Sequence, residues 1–283
     1  MLLPLIPILN SLPWRLQNRP QFHPRVVNST VSSSPSSKRR CDLYDLHKEL
    51  VPYAEAWAWQ NAIVEEKKKL NKSDEDFADS LIILQHHPVY TLGAGSSEEF
   101  LNFDAKSSPF DLYRTERGGE VTYHGPGQLV LYPILNLRYY KMDLHWYLRA
   151  LEEVIIRALS FEFGIEASRI NGLTGVWVGE QKLAAVGIKV SQWITYHGLA
   201  LNVTTDTSPF RDIVPCGIRD RQVGTVKGLL KENFGLPEDI LAINDNQLLE
   251  ITYKSLIDAF CEVFQVELQM KNLKNSLVAA PMS

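Results

Sequence analysis

Beyond Asp143 the apolar residues recur at helical spacing. Leu144, Tyr147, Leu148, Leu151, Ile155 and Leu159 stand three or four positions apart, and Asp143 is placed to cap the first turn. The same period carries a final helix through Leu249, Tyr253, Leu256, Ile257, Phe260 and Phe264. A third helix is predicted at Pro52, a residue suited to a first turn. Tyr53, Ala54, Trp57 and Val64 give it an apolar side that dissolves into the charged run 65–69. Elsewhere the apolar runs are short. Ser80-Leu81-Ile82-Ile83-Leu84 reads as a buried strand closed by His86-His87-Pro88. Val121-Thr122-Tyr123 and Leu129-Val130-Leu131-Tyr132 are strand-like runs around Gly125-Pro126-Gly127, and residues 93–97 form a loop. Three more strands are predicted at 175–178, 184–190 and 198–203. Helices mixed irregularly with neighbouring strands predict an α+β domain on a mixed, largely antiparallel sheet.

Composition changes this picture only at the N-terminus. The 283 residues are 45% apolar and 22% charged, which suits one soluble catalytic domain with a tail. No apolar run approaches the roughly 20 residues that span a bilayer. The net charge of −4 hides an asymmetry: residues 1–41 hold six basic groups and no acid, so the other 242 carry 23 basic and 33 acidic groups. A body that acidic argues against general nucleic-acid binding. Residues 28–37 contain seven hydroxyl side chains in ten and precede Lys38-Arg39-Arg40. Such a stretch buries too little to offset its ordering entropy. Free of acids and dotted with arginine, it fits an organelle transit peptide. Prolines at 4, 7, 13, 20 and 24 would break the amphipathic helix of a mitochondrial presequence. The leader therefore points to a plastid, with the mitochondrion as the alternative. The expected organisation is a leader over 1–41, a catalytic domain over 42–270 and a tail over 271–283.

The densest chemical feature is Arg117-Gly118-Gly119-Glu120-Val121-Thr122-Tyr123-His124-Gly125-Pro126-Gly127-Gln128, with four of the sixteen glycines in eleven positions. Glycine lets the backbone approach a ligand closely and aim N–H groups at an oxygen. The run matches neither GxGxxG nor GxxxxGK[ST], so a nucleotide loop has no support here. Of three cysteines, Cys261 sits on an apolar helix and Cys41 at the edge of the leader. Cys216 is different, because Pro215 before it and Gly217 after it make a rigid, tightly turned presentation. A free thiol with a pKa of about 8.5 needs a base or a cation to act as a nucleophile near neutrality. His124, His197, Lys182 and Lys189 are candidates, and spacing does not choose among them. His86 and His87 invite a metal, but neighbouring strand residues face opposite ways and no thiol or carboxylate cluster completes a site. No metal is expected.

The Arg117–Gln128 run, followed by Leu131-Tyr132, resembles the signature of the lipoyl(octanoyl) transferase family. Gln181-Lys182-Leu183-Ala184-Ala185-Val186-Gly187 is similar to that family's lysine segment. Tyr196-His197-Gly198-Leu199-Ala200-Leu201-Asn202-Val203, Ser208-Pro209-Phe210 and Pro215-Cys216-Gly217 resemble its later blocks, in the family's order and over about residues 43 to 265. The resemblance implies a fold shared with biotin and lipoate ligases. It implies that Cys216 carries an acyl group as a thioester with Lys182 as its dyad partner. Arg117, Gly118, Gly119, Glu120, Val121, Thr122, Tyr123 and His124 would line the acyl site, together with Ala185, Val186, Gly187, Gly198, Leu199 and Ala200. Ala185-Val186 stand where the family often has a hydroxyl.

The implied donor is octanoyl-acyl carrier protein. The implied acceptors are apo lipoyl domains of 2-oxoacid dehydrogenase complexes or the glycine cleavage H protein. The reaction needs no cofactor, and backbone N–H groups near Cys216 or in a glycine loop would hold the oxyanion. The expected protein is a monomer of the plastid stroma with no nucleic-acid or membrane partner. An ATP-dependent lipoate or biotin ligase on the same fold and a cysteine acyl hydrolase are the rival readings.

Overall fold

The computed structural model describes residues 38–73, 75–218, 221–234 and 243–272. Residues 1–37 of the expected leader and the tail beyond 272 lie outside the described residues. Twelve strands and four helices follow in the order β1 (Arg39–Val51), α1 (Tyr53–Lys72), β2 (Asp79–His86), β3 (Val89–Leu92), β4 (Asp111–Arg114), β5 (Thr122–His124), β6 (Gln128–Ile134), α2 (Leu144–Phe163). The second half runs β7 (Ser168–Ile170), β8 (Leu173–Val178), β9 (Gln181–Ser191), β10 (Ile194–Asn202), β11 (Gln222–Val223), α3 (Val226–Phe234), α4 (Asp245–Phe264) and β12 (Val266–Met270).

Nine strands form one sheet in the order β12-β1-β2-β6-β10-β9-β8-β7, with β11 against β9. Only the β1–β12, β1–β2 and β9–β11 pairs are parallel. The sheet is therefore mixed and mostly antiparallel, as the irregular order of elements predicts. A second sheet, β4-β3-β5, stands beside it.

Local chemistry starts and stops the helices. Asp143 accepts the Trp146 amide at 3.1 Å at the head of α2, and Gly164 ends that helix at φ +65. The side chains of Asn244 and Gln247 close a reciprocal cap on α4. Pro52 precedes α1 as its cap residue.

Side-chain alternation assigns each strand's residues to one face or the other. Leu81, Ile83, Leu129, Leu131, Leu199 and Leu201 pack against Leu151, Val154, Ile155 and Leu159 of α2 and Leu256, Phe260 and Phe264 of α4. Ile82, Leu84, Val130, Tyr132 and Ala200 turn the other way, towards Ala56, Ile63 and Val64 of α1. Cys41 lies fully buried in the first of these cores, on β1. A third cluster joins the small sheet to the chain before Cys216, with Tyr123 at 5.7 Å from Tyr90 and 5.4 Å from Phe210, ring to ring.

Candidate active site

The site begins where two strands part. β9 pairs with β8 only over Gln181 to Ala184, across a register shift. Gly175 then takes φ +125, and β8 continues towards its pairing with β7 at Leu173 and Ile170. β9 runs on beside β10 to Ser191. A cavity of about 230 Å³ lies in the gap, between Gly172-Leu173-Thr174 on one side and Ala185-Val186-Gly187 on the other.

Its floor is made of residues with almost no side chain. Ala185 stands opposite Ala200 and Gly187 opposite Gly198, so four neighbouring positions on two strands carry nothing larger than a methyl group. Val130 and Tyr132 of β6, Tyr53 of α1, Thr122 and His124 of β5 and the Arg117–Glu120 loop form the walls.

Cys216 stands on the rim in a one-turn 3-10 helix, Pro215–Gly217. Its backbone is left-handed, φ 56 and ψ 21, a conformation uncommon for a residue with a side chain. The turn holds it there: Cys216 N–H donates to Val121 O at 2.9 Å, Gly217 N–H to Val214 O at 3.0 Å and Ile218 N–H to Pro215 O at 3.0 Å. The amides nearest the sulfur are thus already engaged. Open amides remain at Gly119 and Glu120, which make no hydrogen bond among the described residues and line the same cavity.

Lys182 lies on the same cavity as Cys216, and both also line a smaller void of about 20 Å³ behind it. The lysine is the second residue of β9, and its side chain is buried rather than solvated. Two features make room for it. A Cβ on Gly175 would come 2.6 Å from Lys182 Cε, so only glycine leaves that path open. The Trp177 ring lies 5.3 Å from the ammonium, a favourable cation–π position. The ammonium has no hydrogen-bond partner among the described residues, and packing alone sets its place.

The polar walls are tied down. Arg117 donates to Thr91 O at 2.7 Å, to Thr91 Oγ1 at 2.8 Å and to Gly118 O at 3.0 Å. Burial lowers its pKa, yet a guanidinium starts so high that it stays charged. His124 Nδ1 meets Gln128 Oε1 at 2.7 Å and its Nε2 lies 3.4 Å from Thr91 Oγ1. An amide oxygen only accepts, so the proton sits on Nδ1; burial holds the ring neutral, its pKa well below the usual value. Gln128 donates onward to Asn202 Oδ1 at 2.9 Å, and Asn202 Nδ2 to Gly224 O at 3.2 Å. Gly224 N–H donates to Lys182 O at 3.0 Å, so this network ends on the lysine's own strand.

His197, which also lines the cavity, has a left-handed backbone too, at φ +55. That conformation lets its ring stack on Tyr196 with centroids 5.2 Å apart, although neighbours in a regular strand face opposite ways. Glu116 Oε2 is 3.8 Å from Nε2, beyond hydrogen-bond reach, and burial lowers the ring's pKa.

Of the residues singled out from the sequence, Val121 and Tyr123 do not line the cavity. Strand alternation turns Thr122 and His124 inward and sends Tyr123 to the third core, while Val121 contributes its carbonyl to the Cys216 turn. The other twelve of the fourteen proposed lining residues border the cavity, together with Lys182 and Cys216, although the Leu199 side chain belongs to the core on the opposite face. Tyr53, Val130, Tyr132 and Gly172-Leu173-Thr174 escaped the sequence reading, because each belongs to an element whose pattern speaks only of packing. His86 bonds Val51 O at 2.8 Å and Tyr132 Oη at 2.7 Å, a structural role.

Residues 52–245 match the lipoyl protein ligase A/B catalytic domain. The chain is 57% identical over 257 residues to the chloroplastic octanoyltransferase LIP2p2 of Arabidopsis thaliana, covering 91% of this chain and 89% of that one. The chain belongs to the octanoyltransferase family. Another octanoyltransferase, from Nostoc sp. PCC 7120, is 47% identical over 84% of this chain and 98% of its own. A crystal structure of lipoate-protein ligase A bound with ATP superposes with a TM-score of 0.60 over 85% of this chain and 92% of that one. At 18% identity that likeness extends the octanoyltransferase fold to the ligases and says nothing of chemistry.

Proposed function

We propose that this octanoyltransferase takes an octanoyl group from octanoyl-acyl carrier protein onto Cys216 and passes it to a lysine of an apo lipoyl domain. The observation that carries this reading is the joint placement of Cys216 and Lys182 on one apolar-floored cavity. The Cys216 thiolate adds to the donor's thioester carbonyl. The carbon–sulfur bond to the carrier breaks, and the carrier sulfur leaves with a proton from the Lys182 ammonium. The acceptor lysine's neutral amine then attacks the enzyme thioester, gives its surplus proton to Lys182 and releases the Cys216 thiolate. The pair ends as it began. Lys182 and the open Gly119 and Glu120 amides are the groups available to a developing oxyanion. A thioester becomes an amide, so the chemistry runs downhill without ATP.

The Ala–Gly floor suits an unbranched, apolar tail. Seven tail carbons at about 0.8 kcal/mol each amount to roughly 5–6 kcal/mol of binding. The acceptors fitting this reading are lipoyl domains of 2-oxoacid dehydrogenase complexes and the glycine cleavage H protein. The chloroplastic relative and the acid-free, arginine-dotted leader support a plastid, and we place the enzyme in its stroma as a monomer. The test is intact-mass analysis after incubation with octanoyl-carrier protein and no nucleotide. An octanoyl adduct that chases onto an apo lipoyl domain is expected. An adduct on Cys261, or one that forms only with ATP, overturns the reading.

A further inference from the structure

One carboxylate is buried far from any need of the apolar core around it. Glu152, in the third turn of α2, has a fully buried side chain. Its Oε2 accepts from Arg149 at 2.7 Å and from Arg169 at 3.1 Å, and its Oε1 accepts the Gly175 amide at 2.9 Å. Burying an ion is costly even when it is paired, and an apolar residue of similar volume would serve packing alone as well or better. The carboxylate's distinctive contact is the one to Gly175.

Gly175 is the residue against which Lys182 lies. It sits at φ +125 where β8 leaves β9, and a Cβ there would meet Ala184 O at 2.5 Å and Lys182 Cε at 2.6 Å, with Nζ only slightly farther, at 3.2 Å. Since the ammonium has no hydrogen-bond partner among the described residues, the Gly175 backbone and the Trp177 ring determine where it points. We infer that Glu152 is a positioning residue for acyl transfer, fixing the Gly175 amide and through it the wall that sets the Lys182 amine. The inference rests on the proton-handling role proposed for Lys182.

Two substitutions separate this role from a structural one. Glu152→Gln keeps a side-chain carbonyl for the Gly175 amide, whereas Glu152→Leu removes the acceptor at similar volume. Glu152→Leu is expected to lower kcat for transfer about 100-fold, the scale of a small misplacement of a reacting group, with KM for octanoyl-carrier protein little changed. Glu152→Gln should recover most of that loss. Combined with Lys182→Ala, Glu152→Leu should cost nothing further, because no amine remains to be misplaced. Equal losses in both backgrounds, or a Gln variant as damaged as the Leu variant, overturn the inference. If Glu152→Leu does not fold, Glu152→Asp reads the same coupling, since the shorter side chain keeps a carboxylate for the two arginines and withdraws it from the Gly175 amide. Lys182→Ala with full turnover overturns the transfer mechanism itself; an inactive Lys182→Ala beside an unaffected Glu152→Leu overturns this inference alone.

Discussion

The two faces of the large sheet are built from the same strands and do opposite things. On β10, Leu199 and Leu201 join the core under α2 and α4, while Ala200 between them joins the face under α1. On β9, Leu183 is buried in the first core, while Ala185 and Gly187 pave the cavity. One face gains stability by filling space with branched side chains. The other leaves space by omitting them, at four positions paired in register across two strands. The cavity is thus a local subtraction from a sheet whose reverse side is packed normally. Cys216 and Lys182, the proposed reactive groups, line its edge, where β8 departs and the Cys216 turn closes in.

The sharpest way to break that contrast is to remove one cysteine from each setting. Cys216→Ala should abolish the octanoyl adduct and lower turnover by about 10⁴-fold or more, as loss of a nucleophile generally does. Cys261→Ala should leave adduct formation intact, because burial pushes that thiol's pKa up to about 11. Intact-mass acylation and steady-state transfer measure both. A Cys216→Ala protein that still acylates would dissolve the distinction between rim and core.

Lys182→Ala should follow, with transfer reduced about 10²–10⁴-fold, the usual range for a lost general acid–base group. The fold should survive, since the truncation empties a site whose floor is already open. Circular dichroism beside single-turnover kinetics checks both halves.

The faces themselves can be compared by mirror-image substitutions on adjacent residues of β10. Leu201→Ala removes a fully buried side chain from the packed face and should destabilise by about 2–5 kcal/mol, read in urea. Ala200→Leu adds bulk to the open face and should instead reduce kcat/KM for octanoyl donors while sparing hexanoyl ones. Because one methylene shifts transfer by about 1–3 kcal/mol and the two donors differ by two, the change in chain-length preference should lie within about 2–6 kcal/mol. Equal effects on stability from both would mean that the cavity is an ordinary packing defect.

Much of the packed face was legible before the structure, and part of the open one. The α2 period declares itself because Tyr147, Leu151, Ile155 and Leu159 must each meet a neighbour, although Leu144 at its head is exposed. β1 does not, since Asp42, Asp45, Lys48 and Glu49 interrupt Cys41, Leu43 and Tyr44; the strand is held by β12 and β2 on either side, far away in sequence. β3 is wholly buried but only four residues long, too short for alternation to show. Pro215 and Gly217 signalled the tight turn at Cys216. Nothing near Lys182 signals its burial, because the compensating absence, the Cβ of Gly175, lies on the next strand. Tyr132 and Tyr53 looked like core residues and are cavity walls, a distinction that only the missing side chains opposite them create.

The smallest effect concerns how the packed face is fastened. His47 on β1 stacks on Tyr253 of α4 with centroids 3.8 Å apart, and its nitrogens meet Asp45 at 2.6 Å and Glu250 at 3.0 Å. Burial alone would lower this histidine's pKa, but the two carboxylate hydrogen bonds prevail and raise it above 6.5. The Lys48 and His47 contacts hold the Glu250 carboxyl down, to about 2. A raised folded-state histidine adds stability that is complete below its unfolded value and fades as pH climbs past the folded one. The depressed Glu250 works in the opposite direction, adding stability above the ordinary carboxylate range that is lost only as pH falls towards 2. Thermal stability should therefore decline gently as pH rises from 6.5, and His47→Gln should flatten that slope without altering transfer at the far side of the sheet. A slope unchanged in the variant would mean that the β1–α4 clamp is held by stacking and packing rather than by its charge.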